Sequence, residues 1–190
     1  MSVRDNPQYV KGHGLLKGKS VLVTAAAGVG IGFSAATRAV EEGARGIVIS
    51  DVHAGRLEKS VNALKETHGI EQVWGQLCNV TDENDVQSLV DFAEEKLGGV
   101  DVLINNAGLG TQCALMDMPD EEWHKIIDVT LTGTMRMTRA MMKRMQPRES
   151  GVIVNNASVL GWRAQKEQSH YAAAKAGVMA LTRCAALEAA

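Results

Sequence analysis

Short apolar runs alternate along this chain with longer stretches of helical periodicity, and glycine or polar turns separate them. S-V-L-V-T at 20–24 is the first apolar run. A-A-A-G-V-G-I-G follows it, then a helical pattern over 33–42 that stops at Gly43. G-I-V-I-S leads into Asp51. Leu57, Val61 and Leu64 mark a second helix that ends near Gly69, and 72–78 reads as the next strand. Thr81 suits a helix N-cap. Val86, Leu89, Val90, Ala93 and Leu97 form the apolar stripe of a third helix, closed by Gly98-Gly99. The strand at 100–104 runs into N-N-A-G. After a loop over 109–118, Pro119-Asp120 opens a long helical pattern towards Met145, stopped at Pro147. A fifth apolar run covers 151–155, and an alanine-rich helix runs from Tyr171. Five strand–helix repeats with near-continuous apolar strands predict an α/β fold, a doubly wound parallel sheet of Rossmann type. Residues 1–18 are expected to be an N-terminal arm and 19–190 one domain.

Composition narrows the function classes. Apolar residues make up 45% of the 190 and charged residues 22%, which is ordinary for a globular chain. A formal net charge of −2 gives no electrostatic case for nucleic acid or an anionic membrane surface. Cys78, Cys113 and Cys184 lie far apart with no C-x-x-C, so no disulfide framework or zinc set is expected, and a reducing cytoplasm fits. No run approaches membrane-spanning length, and the first residues lack the apolar core of a leader.

In a sheet of this kind ligands bind beyond the carboxyl ends of the strands, and the chemistry-bearing residues fall there. Gly28, Gly30 and Gly32 allow a tight turn and a close approach to a pyrophosphate at a helix N-terminus. Asp51 stands about twenty residues past Gly30, where a carboxylate accepts hydrogen bonds from an adenosine ribose and repels a 2′-phosphate. Asn79 and Val80 follow the third strand. Asn105 and Asn106 follow the fourth, placed to brace strand ends or to touch a cofactor, with Ala107 and Gly108 behind them. Ser158 follows the fifth. Tyr171 and Lys175 are four apart and share a helix face. An ammonium one turn away favours a phenolate, which suits proton transfer to or from a carbonyl or alcohol oxygen. The methionines at 116, 118, 135, 137, 141 and 142 read as filling for the core and a subunit interface.

These motifs together resemble the short-chain dehydrogenase/reductase family: the turn before Gly30-Ile31-Gly32, N-N-A-G at 105–108, Ser158, and Tyr171-x-x-x-Lys175. The resemblance implies a nicotinamide cofactor and interconversion of a secondary alcohol and a ketone by hydride transfer. It implies that Tyr171 is the catalytic acid/base, that Lys175 holds the nicotinamide ribose, and that Ser158 orients the substrate oxygen. Gly28, Gly30, Ile31, Gly32, Asp51, Asn79, Val80, Asn106, Ala107 and Gly108, together with Tyr171 and Lys175, become cofactor contacts, with NAD favoured over NADP. Departures from the family pattern are Ala25 and Ala26 in place of threonine and glycine, and Asn79 in place of aspartate. The proton-relay asparagine is matched by Thr130, which keeps a carbonyl and a hydroxyl and loses the amide. The family also continues past a point like Ala190 with two further strands, so the chain is expected to be C-terminally incomplete. T-A-A-A-G-V-G-I-G and N-N-A-S-V-L-G-W-R-A-Q are more narrowly similar to bacterial steroid-degradation hydroxy-CoA dehydrogenases, which act on a ring hydroxyl of a coenzyme A thioester. A 3-oxoacyl-thioester reductase and a non-catalytic nucleotide-binding relative are the alternatives. A homo-oligomer built through the helices at 119–145 and from 171 onward is also expected.

Overall fold

The computed structural model describes residues 8–190, so residues 1–7 of the expected arm lie outside the described part. Five strands form one parallel sheet: β1 (Ser20–Val23), β2 (Gly46–Asp51), β3 (Val73–Leu77), β4 (Val102–Asn105) and β5 (Val152–Asn155). Their order is β3-β2-β1-β4-β5, so the chain winds outward from β1 in both directions. The crossovers are α1 (Ile31–Glu41), α2 (Ala54–His68), α3 (Glu83–Leu97), α4 (Asp120–Ile127) with α5 (Gly133–Met145), and α6 (Ser169–Glu188) follows β5. Strand alternation splits the core in two. Val21, Val23, Ile47 and Ile49 pack with Leu57 and Leu64 under α1 and α2, while Leu22, Val48 and Leu103 pack with Leu89, Met137 and Met141 under α3 and α5. Met137, Met141 and Met145 are therefore core residues, whereas Met116 is exposed.

Two expectations about local structure change. The long pattern from Asp120 to Met145 is not a uniform helix: Asp128–Thr132 forms a π-helical segment between α4 and α5. And Asp82, not Thr81, caps α3, accepting from the amides of Asn84 and Asp85. Thr81 instead donates its amide and hydroxyl to the Asn79 side-chain oxygen, at 3.1 and 2.9 Å, because an asparagine two residues back closes an Asx turn more readily.

One carboxylate is central to fastening the arm to the end of α1, alongside backbone bonds from Leu16 and Gly18 to the Glu42 and Gly43 carbonyls. Glu42 is buried and accepts from the amides of Leu15 (3.0 Å) and His13 (2.9 Å) and from Arg38 (2.5 Å). Those amides, with Arg38, hold its carboxyl at about 2, against an ordinary value of 4.5. Because the folded value is the lower one, the stability this group adds is complete above about pH 4.5 and drains away as pH falls towards 2. Unfolding curves for the wild type and Glu42→Gln are expected to differ near neutrality and to converge in acid. A gap that stays constant with pH would remove the carboxylate from this role.

Candidate active site

The glycine turn is shaped by what surrounds it. Gly28 has φ +93°, a left-handed conformation, and a Cβ on it or on Gly30 would meet only open space. Gly32 is the opposite case: a Cβ there would sit 2.4 Å from the Ala25 carbonyl oxygen, so only glycine lets α1 approach the turn. Gly30 caps α1 with no side chain on the helix amides, and the first turn holds no acidic residue. An open glycine cradle at an uncapped helix N-terminus fits a pyrophosphate. Thr24 ties this turn to β4, its hydroxyl accepting from the amides of Asn106 (3.0 Å) and Ala107 (3.1 Å). Ala25 takes φ +48°, which costs an L-residue with a Cβ roughly 1 kcal/mol. Ala25→Gly is accordingly expected to stabilise the fold by up to about 1 kcal/mol, read from chemical denaturation; a loss would show that the methyl makes contacts that outweigh the strain.

Asp51 ends β2, largely buried, and its two oxygens are already engaged. One accepts from the Ala27 amide at 3.2 Å and the other from the His53 amide at 3.1 Å, with the Arg56 guanidinium 3.8 Å away. It thereby clamps the glycine turn. Ser60 does the same from α2, accepting from the Gly28 amide at 2.9 Å. Asn79 is exposed and its oxygen is spent on Thr81, which leaves its NH₂ as the free donor. Val80 is buried against Gly133.

The ends of β4 and β5 carry matching asparagine pairs in register. The Asn105 amide donates to Asn155 at 2.8 Å and to Thr138 of α5 at 3.2 Å. Asn155 donates to Thr182 of α6 at 2.9 Å. Asn106 accepts from Asn156 at 3.0 Å and donates to the carbonyls of Thr24 and Ala25. Its side chain therefore braces the turn, and it borders the cleft through its backbone. Asn155, Asn156, Thr24 and Ser60 were absent from the sequence-based site. The repeated N-N at 105–106 and 155–156 is the signal that points to the first two.

Tyr171 and Lys175 lie beside this brace, and Ser158 follows the end of β5. Tyr171 lies in the first turn of α6 and is partly buried. Lys175 is buried one turn on, its Nζ 5.7 Å from the centre of the Tyr171 ring and donating to the Asn156 carbonyl at 2.5 Å. Burial pushes its ammonium below the usual 10.5. Gly108 lies next to it, where a Cβ would be in ordinary contact with the Nζ at 3.4 Å. Ser158 caps a short 3₁₀ turn, Val159–Gly161, and accepts from the Leu160 amide at 3.2 Å. That turn sits on α6 because Gly161 has no side chain: a Cβ would meet the Lys175 carbonyl at 3.0 Å. Thr130 is fully buried in the π-helical segment. Its hydroxyl donates to the Leu109 carbonyl and accepts from the Leu109 amide, both at 3.0 Å. Its own carbonyl accepts from the Thr134 hydroxyl at 2.9 Å.

Beyond the trio, Trp162 is exposed, with the Arg163 guanidinium 4.8 Å from its ring centre. No helix among the described residues is long and apolar enough to cross a membrane.

A short chain dehydrogenase family model matches residues 19–190. The chain is 53% identical to the (5R,7aS)-5-hydroxy-7a-methyl-1-oxo-2,3,5,6,7,7a-hexahydro-1H-indene-carboxyl-CoA reductase of Mycobacterium tuberculosis, over 100% of this chain and 72% of the relative. It is 38% identical to a 3-oxoacyl-[acyl-carrier-protein] reductase of Vibrio harveyi, over 91% of this chain and 68% of that protein. Among solved structures, a short chain dehydrogenase from Mycobacterium smegmatis superposes with a TM-score of 0.94 at 56% identity, covering 97% of this chain and 77% of that one. With a nearly complete family match and a glycine turn, an asparagine brace and a Ser–Tyr–Lys trio on one sheet edge, the chain belongs to the short-chain dehydrogenases, oxidoreductases that use a nicotinamide cofactor.

Proposed function

We propose that residues 19–190 form one cofactor-binding and catalytic unit that interconverts a ring hydroxyl and a ketone on a coenzyme A thioester, with NAD as the cofactor. The observation that carries the reaction is the buried Lys175 Nζ against the Tyr171 ring, held there by the Asn156 carbonyl. When bound, the nicotinamide supplies or accepts the hydride. Tyr171 Oη gives the proton to the substrate oxygen in reduction and takes it in oxidation. Ser158 Oγ holds that same oxygen. Lys175 places a cation beside the phenol and offers its remaining protons to the nicotinamide ribose. Thr130, in the place of the family's relay asparagine, fastens the π-helical segment to Leu109 beside Gly108. Gly28, Gly30, Ile31 and Gly32 would receive the pyrophosphate, Asp51 the adenosine ribose, and Asn79, Val80 and the backbone of 106–108 the rest of the dinucleotide. The Asp51 carboxylate supports NAD, since it would face a 2′-phosphate charge with charge; Arg56 stays exposed and weakly paired with it. The support for the substrate is the 53% identity to an indene-carboxyl-CoA reductase, together with exposed Trp162 and its stacked Arg163. A flat alicyclic ring suits Trp162, and a cation beside it suits an acidic carrier. Free cysteines suit a cytoplasmic setting, and the faces of α4, α5 and α6 suit a homo-oligomer.

The test compares coenzyme A thioesters of bicyclic hydroxy acids with the free acids, using NAD and NADP in turn. The thioester is expected to win in kcat/KM by about fivefold or more, the factor that about 1 kcal/mol of exposed charge attraction gives. That margin should shrink in Arg163→Ala and in high salt. Equal constants for thioester and free acid overturn the carrier assignment. A preference for straight-chain 3-oxoacyl thioesters moves the chain to the acyl reductases, and tighter binding of NADPH than NADH overturns the cofactor choice.

A further inference from the structure

The first turn of α6 carries Tyr171, yet no side chain caps that turn. Its N-cap is Gln168, which makes no side-chain bond to the helix amides. The buried Gln168 amide donates instead to the Thr111 carbonyl at 2.8 Å. Thr111 belongs to the loop after β4, and its hydroxyl is the second half of the same attachment. It donates to the Glu122 carboxylate in α4 and lies 2.8 Å from His170 Nε2. Since its one proton goes to Glu122, the Thr111 oxygen is an acceptor for His170, which fixes the Nε2–H tautomer. His170 is fully buried, and its Nδ1 has no partner. Leaving one nitrogen of a buried imidazole unpaired is costly, which leaves the Nε2 bond to Thr111 as the polar contact this side chain makes. Two further contacts join the same strip of loop to the catalytic turn. The Cys113 amide donates to the Glu167 carbonyl at 3.0 Å, and Gly110 lies flat on Tyr171, where a Cβ would come within 3.1 Å of the ring.

We propose that Thr111 and Glu122, with the buried His170, form a latch of positioning residues that holds the Tyr171 ring in place against Lys175. Resting on the reading of Tyr171 as the proton-transfer group, the latch names what orients it. Thr111 is the hub, gripping α6 through its carbonyl and its hydroxyl together and passing the hold to α4 through Glu122. Gly110 completes it by letting the loop backbone serve as one wall of the ring's slot. The latch acts on the rate of proton transfer. It does not act on the affinity for dinucleotide, because none of its members bonds to Lys175, to Asp51 or to the glycine turn.

The sequence holds two tyrosines, Tyr9 and Tyr171, so in a Tyr9→Phe background labelled with ζ-¹³C-tyrosine a single resonance reports Tyr171 without any substrate. Thr111→Val keeps the shape of the side chain and deletes the hydroxyl. It is expected to shift and broaden that resonance, to lower kcat by about tenfold, a part of the roughly hundredfold or more that positioned proton transfer contributes, and to leave KM and NADH affinity within about twofold. Thr111→Ser is expected to restore both resonance and rate. Should Thr111→Val fail to fold, Glu122→Gln carries the test, with a smaller change of the same kind. An unchanged Tyr171 resonance in a folded variant overturns the latch, whatever Tyr171 does in catalysis. So does a loss of rate accompanied by an equal loss of NADH affinity and thermal stability, which would mark a structural bond only. If the resonance responds but Tyr171→Phe keeps its activity, it is the reading of Tyr171 that fails, and the latch stands as an ordering device.

Discussion

Replacing Tyr171 by phenylalanine is expected to cut turnover by about a thousandfold while NADH affinity stays within about twofold. The substitution removes one oxygen and nothing else that the structure uses. The phenyl ring still fills the slot between Gly110 and Lys175, and the Lys175 Nζ keeps its bond to the Asn156 carbonyl. The asparagine brace and the glycine turn, which would carry the dinucleotide, do not touch the phenol. Fluorescence titration with NADH and steady-state cofactor absorbance separate the two effects. Turnover within tenfold of wild type would transfer the proton to another group and end the mechanism proposed above.

Replacing Lys175 by methionine is expected to do more, because binding and chemistry should fall together. Methionine keeps much of the length and volume but removes the ammonium beside the Tyr171 ring and the donor to Asn156. A loss of kcat of about a hundredfold or more and a rise in the NADH dissociation constant of about tenfold are expected. A third, independent signature lies in stability. Burial lowers the lysine's folded value below 10.5, so the folded protein releases this proton before the unfolded chain does. Wild-type stability should therefore gain as pH rises through the window from that lowered value to about 10.5, with the gain complete above it. The methionine variant should lack that gain. Denaturation midpoints against pH for the two proteins check the sign, and parallel curves contradict it.

The sheet was legible from periodicity because β1 and β2 are buried on both faces and so read as unbroken apolar runs, and the other strands keep enough apolar residues to read the same way although Val152 and Val154 of β5 are exposed. Val21 to Val23 and Ile47 to Ile49 are fully buried, and no polar residue interrupts them. The trio and the glycine turn were legible because few arrangements place a glycine turn, Asp51, N-N-A-G and Tyr171-x-x-x-Lys175 at successive strand ends. What stayed hidden shares one physical cause: hydrogen-bond partners distant in sequence leave no local pattern. Thr24 meets Asn106, Thr111 meets His170, and Thr130 meets Leu109, and each of these threonines is, in sequence, an ordinary one. The π-helical segment was hidden for a related reason. Its residues keep helical spacing, and the register change serves Thr130's grip on a loop about twenty residues away.

The paired asparagines also bear on how the molecule assembles. A strand shifted by one residue exposes its other face, so β5 mispaired on β4 would present Asn155 where Asn156 belongs. The sheet itself would tolerate the error, because the strands are short and apolar on both sides. The amides would not: Asn105 would lose Asn155, Thr182 its donor, and Lys175 the carbonyl that receives its proton. Asn105 and Lys175 are buried, and leaving a buried polar group unpaired costs about 1–3 kcal/mol. The asparagines thus act as a proofreading device for strand alignment, in which a sheet that has closed one step out of place is the one that cannot satisfy its own catalytic edge.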